Sequence, residues 1–188
     1  ARLPDRPEEA AIASIRDGLL ALLLQGPAYG LLLRNELASR TGREAPLNVG
    51  QVYTTLERLM SAGLVSQDRD TADGLPRYVL TAEGSAVACE WLSAPAIDSA
   101  SPWESMRFQV LLARSLPGVS SDELVRRFRE YWEQRRTSAG ASLAEAARDL
   151  LAAAAIDWLD RVSASSDAGE PVQMTRPPRG RPVGHGLR

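Results

Sequence analysis

The chain has 188 residues, 44% of them hydrophobic and 24% charged, with a formal net charge of −2. That is an ordinary globular composition, long enough for one or two domains with a core that needs no covalent staples, and it carries no global basic field. One cysteine, Cys89, excludes an intramolecular disulfide, one histidine, His185, excludes His/Cys metal sites by count, and the longest apolar run, "LLALLLQG", is too short for a bilayer, so a cytoplasmic protein without membrane contact is expected.

Residues 1–7, with two prolines and no periodicity, read as a loose arm. From 8 to about 25, Ile12, Ile15, Leu19, Leu22 and Leu23 recur at three- and four-residue steps, a helical stripe that Gly26 and Pro27 stop. A second helix follows over about 29–40, with Leu32, Leu33 and Leu37 inward. The third, about 48–62, opens on Asn48, whose side-chain oxygen can cap a first-turn amide. At about 100° per residue, Val49, Val52, Leu56, Leu59 and Met60 share one arc, and Gln51, Thr54, Thr55 and Arg58 form a polar set on the other side, with Tyr53 at the boundary. "LVSQDRD" and "LPRYVLT", joined by a turn containing Asp73 and Gly74, predict a β-hairpin, and Thr81 starts a fourth helix to about 92.

Three helices and a hairpin in this order predict a winged helix-turn-helix over 8–92 in which short helices bury their stripes on one another. Residues 93–101 are small and polar and read as a linker. Beyond it, "SPWE", "SSDE" and "SLAE" each place Ser three residues before Glu, the pattern of a capping box, so helices are predicted over 102–115, 121–137 and 142–164. The last two, with Gly140 between them, are separate helices or one kinked rod. Leu143, Leu150, Leu151, Ala154 and Trp158 stripe the final helix. Residues 165–188, rich in Pro, Gly and Arg, predict an extended or disordered tail. The fold class expected is therefore mainly α: an N-terminal winged helix-turn-helix with a small hairpin wing and an all-helical C-terminal domain.

No phosphate-binding loop, dinucleotide fingerprint or nucleophile elbow is present. A Ser-His-Asp or Cys-His site would need His185 to fold back from the tail, so neither an enzyme nor a cofactor is expected. "LLALLLQGPAYGLLLRNELASRTG", "LNVGQVYTTLERLMSAGLV" and "RYVLTAEG" together resemble the PadR family of bacterial transcriptional regulators over about residues 14–92. Residues 102–164, ending in "IDWLDRV", are similar to the longer dimerisation domain of one PadR subgroup. Two departures stand out. Tyr29-Gly30-Leu31 replaces the His-Gly-Tyr common in the family, and the wing carries only Arg69 and Arg77 among Asp68, Asp70 and Asp73. Residues 1–92 hold 12 acidic and 9 basic side chains, a net of −3.

In a helix-turn-helix the second helix of the motif enters the major groove, which assigns Asn48, Gln51, Thr54 and Thr55 as candidate base readers. Tyr53 and Arg58 are candidates for phosphate contacts, and Arg69, Arg77 and Tyr78 for the wing. The resemblance implies a homodimer on a double-stranded DNA operator, usually as a repressor, and release by a small aromatic or drug-like effector. Trp91, Trp103, Tyr131, Trp132 and Trp158 either line a pocket for that effector or serve as core and interface anchors. "PRGRP" matches the core of an AT-hook, in which Arg179, Gly180 and Arg181 would lie in a narrow minor groove; the alternatives are a disordered tail or one packed on its own protein. Two further functions compete: a winged-helix module for protein–protein assembly, which the acidic balance supports, and a drug-sequestering protein that has lost DNA function.

Overall fold

The computed structural model describes residues 7–42, 47–68, 75–97, 101–136, 142–165 and 169–171, with side chains from residue 14 onward. Seven helices and one hairpin follow in order: α1 (Pro7–Leu23), α2 (Gly30–Arg40), α3 (Val49–Ser61), β1 (Val65–Asp68), β2 (Arg77–Leu80), α4 (Ala82–Ser93), α5 (Pro102–Ser115), α6 (Asp122–Glu133) and α7 (Leu143–Ala164). The fold is mainly helical, with a small antiparallel hairpin and a C-terminal helical bundle.

The centre of the molecule is α1, which packs on α2, α3, α4, α5 and β2. Leu19, Leu20, Ala21, Leu22 and Leu23 are all at most 3% exposed, so the helix is buried around its circumference rather than along the single stripe expected. A helix apolar on every side has neighbours on every side. Asp17, one turn earlier, pays for this position: burial raises its carboxyl above the usual range, and the adjacent Arg16 partly offsets the rise.

At the end of α3 the Leu64 amide donates to Leu59 and the Gly63 amide to Met60, at 3.0 Å each. This paired closure requires the left-handed backbone that Gly63 adopts at φ 73°. The chain then enters β1, which pairs antiparallel with β2 in the register Val65 to Leu80 through Asp68 to Arg77. A third short segment joins them: Ala28, in the turn between α1 and α2, exchanges both backbone hydrogen bonds with Tyr78, at 3.0 and 2.8 Å. Nothing in the sequence pattern foretold that bridge. The hairpin tip, with Asp73 and Gly74, lies outside the described residues.

The predicted linker is partly tied down. Gln109 on α5 is fully buried, donates through Nε2 to the carbonyls of Trp91 and Ala94, and accepts the Ala96 amide at 3.0 Å. Thus α5 shares one core with the N-terminal helices, while α6 and α7 pack on each other. Arg129 pairs with Asp160 and Arg136 with Asp149, so α6 and α7 run antiparallel as two helices and not as one rod.

Of the three expected capping boxes only Ser142–Glu145 forms. Ser101 makes no side-chain cap bond, and at α6 the N-cap is Ser121, also without one, while the expected Ser120 lies one residue earlier and accepts the Asp122 amide at 3.5 Å. Their acidic partners are drawn away by arginines one turn on, Glu104 by Arg107 and Glu123 by Arg126 and Arg127. A guanidinium brings a full positive charge and more than one N–H to the carboxylate, where the helix end offers a single uncharged N–H. After α7, residues of the expected tail dock back: Arg40 on α2 donates to the carbonyls of Ser115 and Glu170, and Arg114 to that of Ser165.

Candidate nucleic-acid interface

The entry to α3 is fixed from α2. Arg34 Nε donates to the Leu47 carbonyl at 2.6 Å, and the Leu47 side chain is buried. Asn48 then caps the helix by accepting the Gly50 amide at 2.8 Å. Its side-chain oxygen serves the cap, as the sequence proposed, and its side-chain amino group takes no part in that bond.

The buried side of α3 is Val52, Thr55, Leu56 and Leu59, held against α1, α2 and β1. Thr55 was expected on the free face, and the structure moves it. It is 4% exposed and its hydroxyl donates to the Gln51 carbonyl at 2.8 Å. The cause is the width of the contact: the covered arc extends about 40° beyond the apolar stripe, and a threonine there satisfies its hydroxyl on the preceding turn. At the other edge Val49, expected inward, is 45% exposed because it sits in the first turn.

The exposed side is consequently Gly50, Tyr53, Thr54, Glu57, Arg58 and Ser61, with Gln51 half-buried on its flank. Relative to the polar set read from the sequence, the free face is turned by roughly 70° toward Tyr53 and Glu57. Glu57 is the member that sequence reasoning passed over; plotting both edges of the helix would have found it. Tyr53 keeps an exposed edge of its ring while packing on the first residue of α2. A Cβ at Gly30 would lie 2.9 Å from that ring, so glycine there lets the two helices close. Arg58 is exposed and has no ion-pair partner among the described residues.

The wing is less open than expected. Arg77 donates to Asp68 across the register at 2.7 Å, and its Nε is buried without a partner among the described residues. Tyr78 is 4% exposed, and burial pushes its hydroxyl pKa up, with a hydrogen bond to Gln67 acting the other way. On a strand that packs inward at alternate positions, Tyr78 falls on the core side. It therefore stabilises the wing and does not present its ring to a partner. Arg69 and the tail residues Arg179, Gly180 and Arg181 lie outside the described residues.

The five aromatic candidates divide into packing pairs. Trp91 meets Phe108 edge-on at 6.2 Å, Trp103 meets Trp158 at 5.7 Å, and Tyr131 meets Trp132 at 5.2 Å. Tyr131 and Trp132 are buried, and the Trp132 indole N–H donates to the Met106 sulfur at 2.9 Å. A concave site of about 280 Å³ lies elsewhere, between α2, α5 and the end of α7, with Val110, Leu111 and Val162 as walls and Arg40 and Arg114 at its edge. Among the described residues no cluster of His, Cys, Asp and Glu fit to hold a metal occurs, and no helix is long and apolar enough to cross a membrane.

Comparison with known proteins agrees with this geometry. The model of the transcriptional regulator PadR-like family matches residues 19–90, from the buried half of α1 into α4 and less than half of the chain. No curated protein matches the chain. The matched span contains the Gly-Pro turn, α3 with its exposed face, and both strands of the wing. The chain therefore carries a winged helix-turn-helix domain of the PadR-like family, whose members are DNA-binding transcriptional regulators and not enzymes.

Proposed function

We propose that the protein is a transcriptional repressor that binds an inverted-repeat DNA operator as a homodimer, with α3 of each subunit in the major groove. The observation that carries this reading is the exposed arc of α3, a polar surface on a helix whose other side is clamped by α1, α2 and β1. Thr54 and Gln51 lie in its N-terminal half, where a recognition helix meets base edges, and Tyr53 and Arg58 flank them at phosphate-contacting positions.

The dimer is supported by α7. Leu143, Leu150 and Leu151 are 92%, 70% and 44% exposed, and with Ala147 and Ala154 they line one helical stripe. An unpartnered stripe of this kind marks an association surface. A two-fold pair would set two copies of α3 about one DNA turn apart. A small aromatic effector belongs in the concave site walled by Val110, Leu111 and Val162, since the tryptophans are spent on packing.

The test is a gel shift of the protein on DNA from its own promoter, with a reporter gene to read repression. Thr54→Ala and Arg58→Ala should weaken the specific complex, and Leu150→Glu should yield monomers by light scattering and lose operator binding. Tight, sequence-selective binding by a Leu150→Glu monomer would refute the dimer reading.

A further inference from the structure

Glu57 occupies the middle of the exposed arc of α3, one turn beyond Tyr53 and Thr54. Its carboxylate has no hydrogen-bond or ion-pair partner among the described residues. Ser61, one turn on, spends its hydroxyl on the Glu57 backbone carbonyl at 3.0 Å. Arg58 lies about 100° further round the helix and is not paired with it. Some glutamates of this chain are paired within a turn, as Glu123 is with Arg126 and Arg127, and Glu36 with Arg40, while Glu83 and Glu90 have no ion pair among the described residues. Glu57 belongs with the second group, and what sets it apart is its place on the free face of α3.

A bare carboxylate at the centre of a face that meets a polyanion is repelled by every phosphate. It gains only where the duplex offers a hydrogen-bond donor. In the major groove those donors are the adenine N6 and cytosine N4 amino groups. The adenine amino group sits beside the N7 acceptor, which repels a carboxylate; cytosine presents its amino group with no acceptor of its own next to it.

We propose that Glu57 is a specificity-determining residue whose carboxylate accepts a hydrogen bond from the N4 amino group of one cytosine in each half-site. The proposal rests on α3 being the recognition helix. The same charge disfavours every register in which a phosphate or a purine N7 faces it, so Glu57 lowers affinity for random DNA while raising the contrast between right and wrong sites. In a domain whose net charge is already negative, selectivity of this kind takes the place of broad electrostatic attraction.

The experiment is selection of sites from a randomised duplex pool by the full chain, followed by fluorescence anisotropy on the selected and scrambled duplexes. Wild type, Glu57→Gln, Glu57→Ala, Thr54→Ala and Arg58→Ala are compared, each checked for fold by circular dichroism. Wild type should select a cytosine at one position per half-site. Glu57→Gln should move that position to adenine, because a carboxamide matches N6 and N7 together. Glu57→Ala should lose the preference, with discrimination at that position falling about fivefold to a hundredfold, and both Glu57 variants should bind scrambled duplex more tightly. If Glu57→Gln selects the same sites as wild type while Thr54→Ala or Arg58→Ala changes them, Glu57 is a bystander and the proposal is overturned. If none of the four variants alters the selection, α3 is not the reading helix and both readings fall.

Discussion

Gln109 offers a direct test of how the predicted linker is held. Its three hydrogen bonds serve Trp91, Ala94 and Ala96, and its side chain is fully buried. Gln109→Leu keeps nearly the same volume and removes all three bonds. Each buried main-chain group left unpaired costs about 1–3 kcal/mol. Because residues 94–96 are half-buried, water recovers part of that, and the low end applies. The loss should be about 3 kcal/mol, read by urea unfolding followed by circular dichroism, with a fall in Tm of roughly 6–12 °C. Gln109→Glu is the sharper variant. It keeps the acceptor for Ala96 but turns carboxylate oxygens toward two carbonyls, so burial and repulsion raise its folded pKa. A raised folded pKa means stability that is present at low pH and lost as pH climbs above the ordinary glutamate value of about 4.3. Gln109→Glu should therefore be worse than Gln109→Leu at pH 7 and recover toward pH 4. A Gln109→Leu loss below about 1 kcal/mol, or a pH-independent Gln109→Glu, would refute the reasoning.

Thr55→Val should leave operator preference unchanged and cost about 1 kcal/mol, because the buried hydroxyl serves only the preceding turn; an altered preference in a binding selection would return Thr55 to the reading face. Asp17→Asn should stabilise the protein at neutral pH. Burial raises the Asp17 carboxyl, so wild type loses stability as pH rises above the ordinary aspartate value of about 3.9. The advantage of the variant should vanish below that value in thermal melts run across pH, and an advantage that persists there would mean that burial is not its source.

Much of this architecture was legible in local patterns. The Gly-Pro stop after α1, the Asn48 cap, the Gly63 exit and the hairpin each follow from residues within one turn of the event. What was not legible depends on partners distant in sequence. The run at Leu19–Leu23 looks like a stripe until five elements surround it. Thr55 looks like a surface threonine until packing covers its flank, and Ser101 looks like half of a capping box until Arg107 takes Glu104. Gln109 could not be distinguished from any helical glutamine, because its three partners lie in the last turn of α4 and in a connection with no periodicity. The candidate site followed the same rule: the spacing located α3 and its polar set, and only packing revealed which way the free face turns.

The Ala28–Tyr78 bridge has a consequence for how an operator would be written. It welds the wing to the turn between α1 and α2, so α3 and the wing root share one frame. In the homodimer proposed above, such a frame prints a half-site of fixed width, like a single piece of type. The distance between the two half-sites is set instead by the helices that join the subunits. Letters and spacing are then stored in separate parts of the chain, and exchanging α6 and α7 for a longer pair should respace an operator without respelling it.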